Sequence, residues 1–265
     1  MRRQSSAPYK NSRWSFLLVF VGLIFAAACA GFYLYQTHIS FRRVVSYGPA
    51  AYKMFLVKYF PFSEENALKE WEEKVFKGKV VYRIEQDKTI SYVRAQSSSA
   101  SSALYYKIKL DAKSKRPLIS WKWAVHRFPE KAYPETLGIE NQDDFAARVY
   151  VIFPAMFITN SKVIEYIWTE NVPLGMTGTS PFSKNIKVMV LRSGLNKEAG
   201  WCAEERDVIA DYLKLFGKAP EHNIGAVAFM TNAEHTGSSA DSSYDEIRLG
   251  YREDAKGMLK QEVSS

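Results

Sequence analysis

The chain predicts an all-β, mainly antiparallel sandwich or jelly roll with one or two short helices, behind a single N-terminal transmembrane helix. Three observations carry this. Short runs rich in β-branched and aromatic residues recur, bounded by Gly, Ser, Asn, Asp or Lys turns. Several of these runs alternate polar and apolar residues, the period of a half-buried strand. Convincing helical periodicity occurs once, near residues 201–220.

Residues 1–13 read as a cytoplasmic tail with Arg2, Arg3, Lys10 and Arg13. Trp14 to Tyr35 is an uncharged stretch of 22 residues, which as a helix reaches roughly 33 Å and spans a hydrocarbon core. Trp14 at one end, with Tyr33 and Tyr35 at the other, are rings expected at the two interfaces. The small residues around Cys29 are followed by more uncharged residues, so the run reads as an uncleaved anchor rather than a cleaved signal. The flanking basic residues orient it with the N-terminus inside. The expected location is a bacterial inner membrane, with the domain in the periplasm or outside.

Residues 36–60 read as a juxtamembrane segment, in which "YKMFLVKYFPF" is either surface-lying or the first strand. The domain runs over residues 61–251. "SEENALKEWEEKVFKG" suggests a short acidic helix whose capping box is incomplete, with Asn66 three residues after Ser63. Strands follow at "KVVYRIEQD", "ISYVRAQS", "ALYYKIKLDA", "LISWKWAV", "ARVYVIF", "IKVMVLRSG", "GAVAFMTN" and "YDEIRLGY". "SKVIEYIWTEN" fits helix or strand. In "WCAEERDVIADYLKLFGKAP", Trp201, Val208, Ile209, Tyr212, Leu213 and Phe216 share a helical face, and Gly217 and Pro220 end it. Residues 252–265 read as a flexible tail.

The net charge of +8 belongs to the leader, because residues 1–60 hold eight basic and no acidic side chains. The rest of the chain is balanced, which argues against nucleic acid as a partner. Cys29 lies in the anchor and Cys202 is the only other cysteine, so the domain has no internal disulfide and no thiol metal site. No metal or cofactor is expected, and no nucleotide-binding, zinc-protease or serine-hydrolase motif occurs.

The chemistry concentrates at "DDFAARVYVIF". Period two puts Arg148, Tyr150 and Ile152 on one face and Val149, Val151 and Phe153 on the other. A sheet that aligned Trp121, Trp123, Arg148, Tyr150 and Arg192 would present flat rings and forked donors to a sugar, with Asp143 and Asp144 orienting Arg148 or accepting from hydroxyls. The competing reading is structural. A buried arginine needs a carboxylate partner, and a Trp pair in a strand is often core. Adjacent Asp residues in a strand point to opposite faces, which disfavours an acid–base pair across one bond.

The order of these segments, with "WCAEERDVIADYLKLFG" and "IGAVAFMTNAEHTGSSADSSYDEI", resembles a bacterial family described as domain of unknown function 3047, over roughly residues 60–250. The resemblance implies an exported or envelope-facing protein and supplies no reaction. Family members usually read T-D-x-D-N-T-G where this chain has "TNAEHTG"; Asn232 and Glu234 replace the two Asp, which weakens any calcium site. "YDEI" is similar to the last strand of galactose-binding-like jelly rolls. Three functions stay open. One is binding of an envelope glycan or other carbohydrate. The second is a non-catalytic structural or interaction role in an envelope protein complex. The third is a glycan-cleaving enzyme using an acid among Asp143, Asp144, Glu204 and Glu205.

Overall fold

The protein is described by a computed structural model covering residues 54–64, 66–87, 90–195 and 200–253. Within these residues the chain forms β1 (Met54–Phe60), β2 (Glu72–Lys77), β3 (Val81–Asp87), β4 (Ile90–Ser98), β5 (Ser101–Leu110), β6 (Pro117–Arg127), β7 (Ala147–Phe153), β8 (Lys162–Thr169), β9 (Thr177–Thr179), β10 (Ile186–Ser193), β11 (Cys202–Asp207), α1 (Val208–Phe216), β12 (Ile224–Asn232) and β13 (Ser239–Arg252). The described residues form an all-β sandwich with one short α-helix. One sheet is ordered β11-β6-β13-β4-β3, with β1 added along the second half of β13; the other is β2-β5-β12-β7-β8-β10-β9. All pairings are antiparallel except β10 on β8.

Alternation builds the core. Val149, Val151 and Phe153 of β7 point between the sheets, as do Ile164, Tyr166 and Trp168 of β8 and Phe229 of β12. From the facing sheet, Trp121 and Trp123 of β6 meet them, with Tyr166 5.5 Å from Trp121 and Trp168 5.7 Å from Trp123 between ring centroids. Tyr244 of β13 ties the sheets together: its hydroxyl donates to the Met230 carbonyl at 2.6 Å and accepts from the Arg148 amide at 3.2 Å.

Several elements differ from the sequence reading. The Cys202–Asp207 part of the predicted helix is a strand, pairing Cys202 with Trp123 and Asp207 with Leu118. Helix α1 starts after it because Asp207 caps it, accepting from the Ile209 and Ala210 amides. Gly217, at φ +70°, ends it as expected. The acidic stretch after Ser63 yields only one short 3-10 turn, Ala67–Glu70, and then the edge strand β2. Exposed edge strands favour charge, which makes "EEKVFK" read like a helix. "KVIEYIWT" resolves as strand β8.

The sandwich also begins before residue 61, since β1 pairs with β13. Gly250 is required at that crossing, because a Cβ there would lie 2.3 Å from the Phe55 carbonyl oxygen. The predicted anchor, residues 14–35, and most of the tail lie outside the described residues. No helix among the described residues is long and apolar enough to cross a membrane.

Candidate functional site

The residues of β7 that turn away from the core, Arg148, Tyr150 and Ile152, lie on the outer face of the larger sheet. With Val163 and Glu165 of β8, Ala228 and Met230 of β12, and Ala103 and Tyr105 of β5, they line a groove of about 620 Å3. This is within the size range of ligand pockets. Phe76 from β2 and Phe182 from the turn before β10 contribute rings to the lining and stay largely exposed.

Arg148 is buried in this floor and shared between two carboxylates. Its Nη1 donates to Glu165 Oε1 at 2.6 Å and to Asp143 Oδ2 at 3.1 Å, and its Nη2 donates to the Asp143 carbonyl. The guanidinium lies 4.7 Å from the centre of the Phe145 ring, which carries the Lys131 ammonium at 4.3 Å as well. Arg148 Nε is sealed from solvent and has no partner among the described residues. Glu165 stands directly across the strand pair from Tyr150, whose hydroxyl contacts Glu165 Oε1 at 3.4 Å. Burial pushes the Glu165 carboxyl up to about 7, against the opposing pull of Arg148.

Asp144, the other half of the pair, serves a different element. It accepts from the Thr236 amide at 2.7 Å, from Thr236 Oγ1 at 2.8 Å and from Asn232 Nδ2. Asn232 in turn accepts from the Phe145 amide at 3.1 Å and donates to the Asp143 carbonyl at 3.1 Å. These contacts hold the turn after β12, which brings Glu234 and His235 to the groove. His235 Nε2 lies 3.0 Å from Glu234 Oε1, and its ring stacks on Phe182 with centroids 5.2 Å apart. The adjacent acids therefore diverge, one to the arginine and one to the turn.

The structure separates the remaining candidates from the groove. Trp121 and Trp123 are 1% and 0% exposed and belong to the other sheet, so they are core residues and no sugar platform. Arg192 joins the sheets at one end: its Nε donates to Glu204 Oε1 at 2.5 Å, which also accepts from Trp123 Nε1 at 3.2 Å. Asp143, Arg148 and Tyr150 are the predicted residues that meet in the groove. Sequence reasoning missed Glu165, although period two in "KVIEYIWT" places a lone carboxylate among Val163 and Ile167. Phe182, Glu234 and His235 come from turns, where no periodicity marks them.

The arrangement disfavours glycosidic hydrolysis. The Arg148 guanidinium bridges Asp143 and Glu165 and fills the space that a sugar linkage or water would need between two opposed acids. Glu204 is engaged by Arg192 and Trp123, away from the groove. No cluster of His, Cys, Asp and Glu able to hold a metal ion occurs among the described residues.

None of the curated proteins compared with the chain matches it. Among solved structures, the family 11 carbohydrate-binding module of the cellulosomal cellulase Lic26A-Cel5E of Clostridium thermocellum aligns at 13% identity and a TM-score of 0.39, covering 78% of this chain and 99% of that one. A mannan-recognising module, TmCBM27, aligns at 8% identity and a TM-score of 0.36, covering 76% and 99%. The enzymatically active domain of tailspike protein 4 from bacteriophage CBA120 aligns at 9% and 0.36, covering 69% of this chain and 20% of its own. Likenesses this distant do not bear on function. The family described as "Protein of unknown function (DUF3047)" matches residues 69–248, and the chain belongs to that family.

Proposed function

We propose that this DUF3047 member is a non-catalytic carbohydrate-binding domain on a jelly-roll-like sandwich, and that the groove of the larger sheet is its glycan site. The observation that carries this is the groove itself: a fixed polar floor made by Glu165, Asp143 and Arg148, bordered by the rings of Tyr150, Tyr105, Phe76 and Phe182. Sugars offer an apolar ring face and a rim of hydroxyls, and such a groove meets both. The carboxylates accept from hydroxyls, and the rings cover the C–H face. Arg148 holds the carboxylates in place, and Asp144 positions the turn that carries His235.

The test is a glycan array followed by calorimetry with the purified protein and a Phe182→Ala variant. Phe182 is 52% exposed, so its removal leaves the core intact. The expected result is binding of at least one glycan class, weakened about tenfold in the variant, the scale of one lost aromatic contact. A panel of envelope and plant glycans that all fail to bind would sink the reading. The uncharged stretch from Trp14 to Tyr35, with basic residues on both sides, supports placement of this domain on the outer side of a bacterial inner membrane. Protease accessibility in intact spheroplasts tests it: cleavage of the domain is expected, and full protection would refute it.

A further inference from the structure

We infer that the glycan taken by this groove carries a protonated amine, whose ammonium seats against Glu165 on the groove floor. The inference rests on the glycan reading of the same groove and narrows it to amino sugars without an N-acetyl cap.

With Glu165 ionised, the charges on the floor do not cancel. Arg148 offers one positive charge to two carboxylates, Asp143 and Glu165. Glu234, also at the groove, is matched by His235 only when that imidazole is protonated. Lys131 lies behind Phe145 and is engaged by Glu135, so it does not make up the deficit.

The bonding is incomplete as well. Both contacts to Glu165, from Arg148 and from Tyr150, fall on Oε1. Its second oxygen, Oε2, accepts no hydrogen bond from the described residues, and it is not among the sealed atoms without partners. It is therefore open to the groove. Asp143 is in the same condition: Oδ2 and the main-chain carbonyl are used, and Oδ1 has no partner among the described residues and is not sealed. Glu165 is only 1% exposed and is set among Val163, Ile152 and Met230. An acceptor in such apolar surroundings is strengthened by the low local dielectric and calls for a charged donor.

An ammonium with three donors matches this better than a hydroxyl with one. An N-acetyl group would bring a methyl and a carbonyl oxygen toward carboxylate oxygens, which repels. Non-specific attraction of cations is not the cause, since beyond residue 60 the chain carries equal numbers of acidic and basic side chains.

The experiment is calorimetric titration of the full-length protein with three tetrasaccharides of the same linkage: glucosamine, N-acetylglucosamine and glucose. The glucosamine tetramer is expected to bind at least about tenfold more tightly than either of the others, the scale of one charge-assisted hydrogen bond. In Glu165→Gln that preference is expected to shrink to about twofold. Asp143→Asn serves as a second variant should the first fail to fold. Equal or tighter binding of the uncharged tetramers overturns the amine assignment and leaves the glycan site standing. Failure of all three, with other glycans also silent, overturns both. An unchanged preference in folded variants of both carboxylates overturns the assignment too, because the amine would then be read elsewhere.

Discussion

Replacing Arg148 with alanine removes a cation that touches two buried carboxylates, and the structure sets the size of the effect. Glu165 and Asp143 are nearly solvent-free, with Arg148 Nη1 at 2.6 Å and 3.1 Å from their oxygens. Taking one partner from a buried ion pair costs about 3–5 kcal/mol, mainly because the charges left behind are uncompensated. Loss of the guanidinium from the Phe145 face adds to this. For a domain of this size each kcal/mol moves Tm by about 2–4 °C, so a fall of roughly 6–20 °C is expected in thermal unfolding followed by circular dichroism. The deficit should depend on pH. Near pH 5 the orphaned Glu165 carboxyl, already raised by burial, is protonated, and the gap between wild type and variant should narrow. A variant with Arg148→Met, Asp143→Asn and Glu165→Gln together, which leaves no buried charge there, should recover most of the loss. A fall below about 3 °C for Arg148→Ala at pH 7.5, or no recovery in the triple variant, would refute the view that Arg148 holds this cluster together as a buried ion pair.

Glu165 also predicts a pH profile for the intact protein. Its folded pKa of about 7 lies above the ordinary value of 4.5, so the folded state holds the proton more tightly. That contribution is complete below about pH 4.5 and is lost as pH rises through 7, a change of about 3 kcal/mol. Urea titrations of wild type and Glu165→Gln should show the slope in the first and a flatter profile in the second; parallel profiles would count against it. Asp245, pushed up to about 6 by burial, adds a slope of the same sign to both proteins. Asp144→Asn should speed hydrogen exchange at the Thr236 amide at least about tenfold and weaken glycan binding more than it lowers Tm, because that carboxylate holds the turn rather than the core. Unchanged exchange at Thr236 would rule out that role. Asp207→Ala should cost about 1–2 kcal/mol by uncapping α1, as measured by chemical denaturation, and should leave glycan affinity unaltered.

The eight strands read from β-branched and aromatic runs between turn residues are all present, and the split of β7 into a core face and an outer face follows from period two alone. That period also placed Arg148 and Tyr150 together, because neighbours two apart in a strand must share a face. It went no further for Trp121 and Trp123. Their common face was legible, yet whether it turned inward or outward depended on which sheet β6 joined, and pairing is a long-range property. Glu165 was hidden for the same reason: "SKVIEYIWTEN" has no local feature that decides strand over helix, and only insertion between β7 and β10 makes it β8. The segment "CAEERD" looked helical because its charges suit either state, and the open edge of β6 drew it into a strand.

By itself, then, the sequence determined the sandwich class, the strands whose side chains alternate, the uncharged stretch at residues 14–35 with its basic flanks, and the need of Arg148 for an acid. These are properties of near neighbours in the chain, set by the two-residue repeat of a strand and by the cost of burying charge. The tertiary structure decided which acid that would be, that Asp143 and Asp144 part company, and that Phe182, His235 and Glu165 converge on one groove. Those outcomes depend on contacts between residues up to 92 positions apart, as between Asp144 and Thr236, and no local pattern encodes where such partners meet.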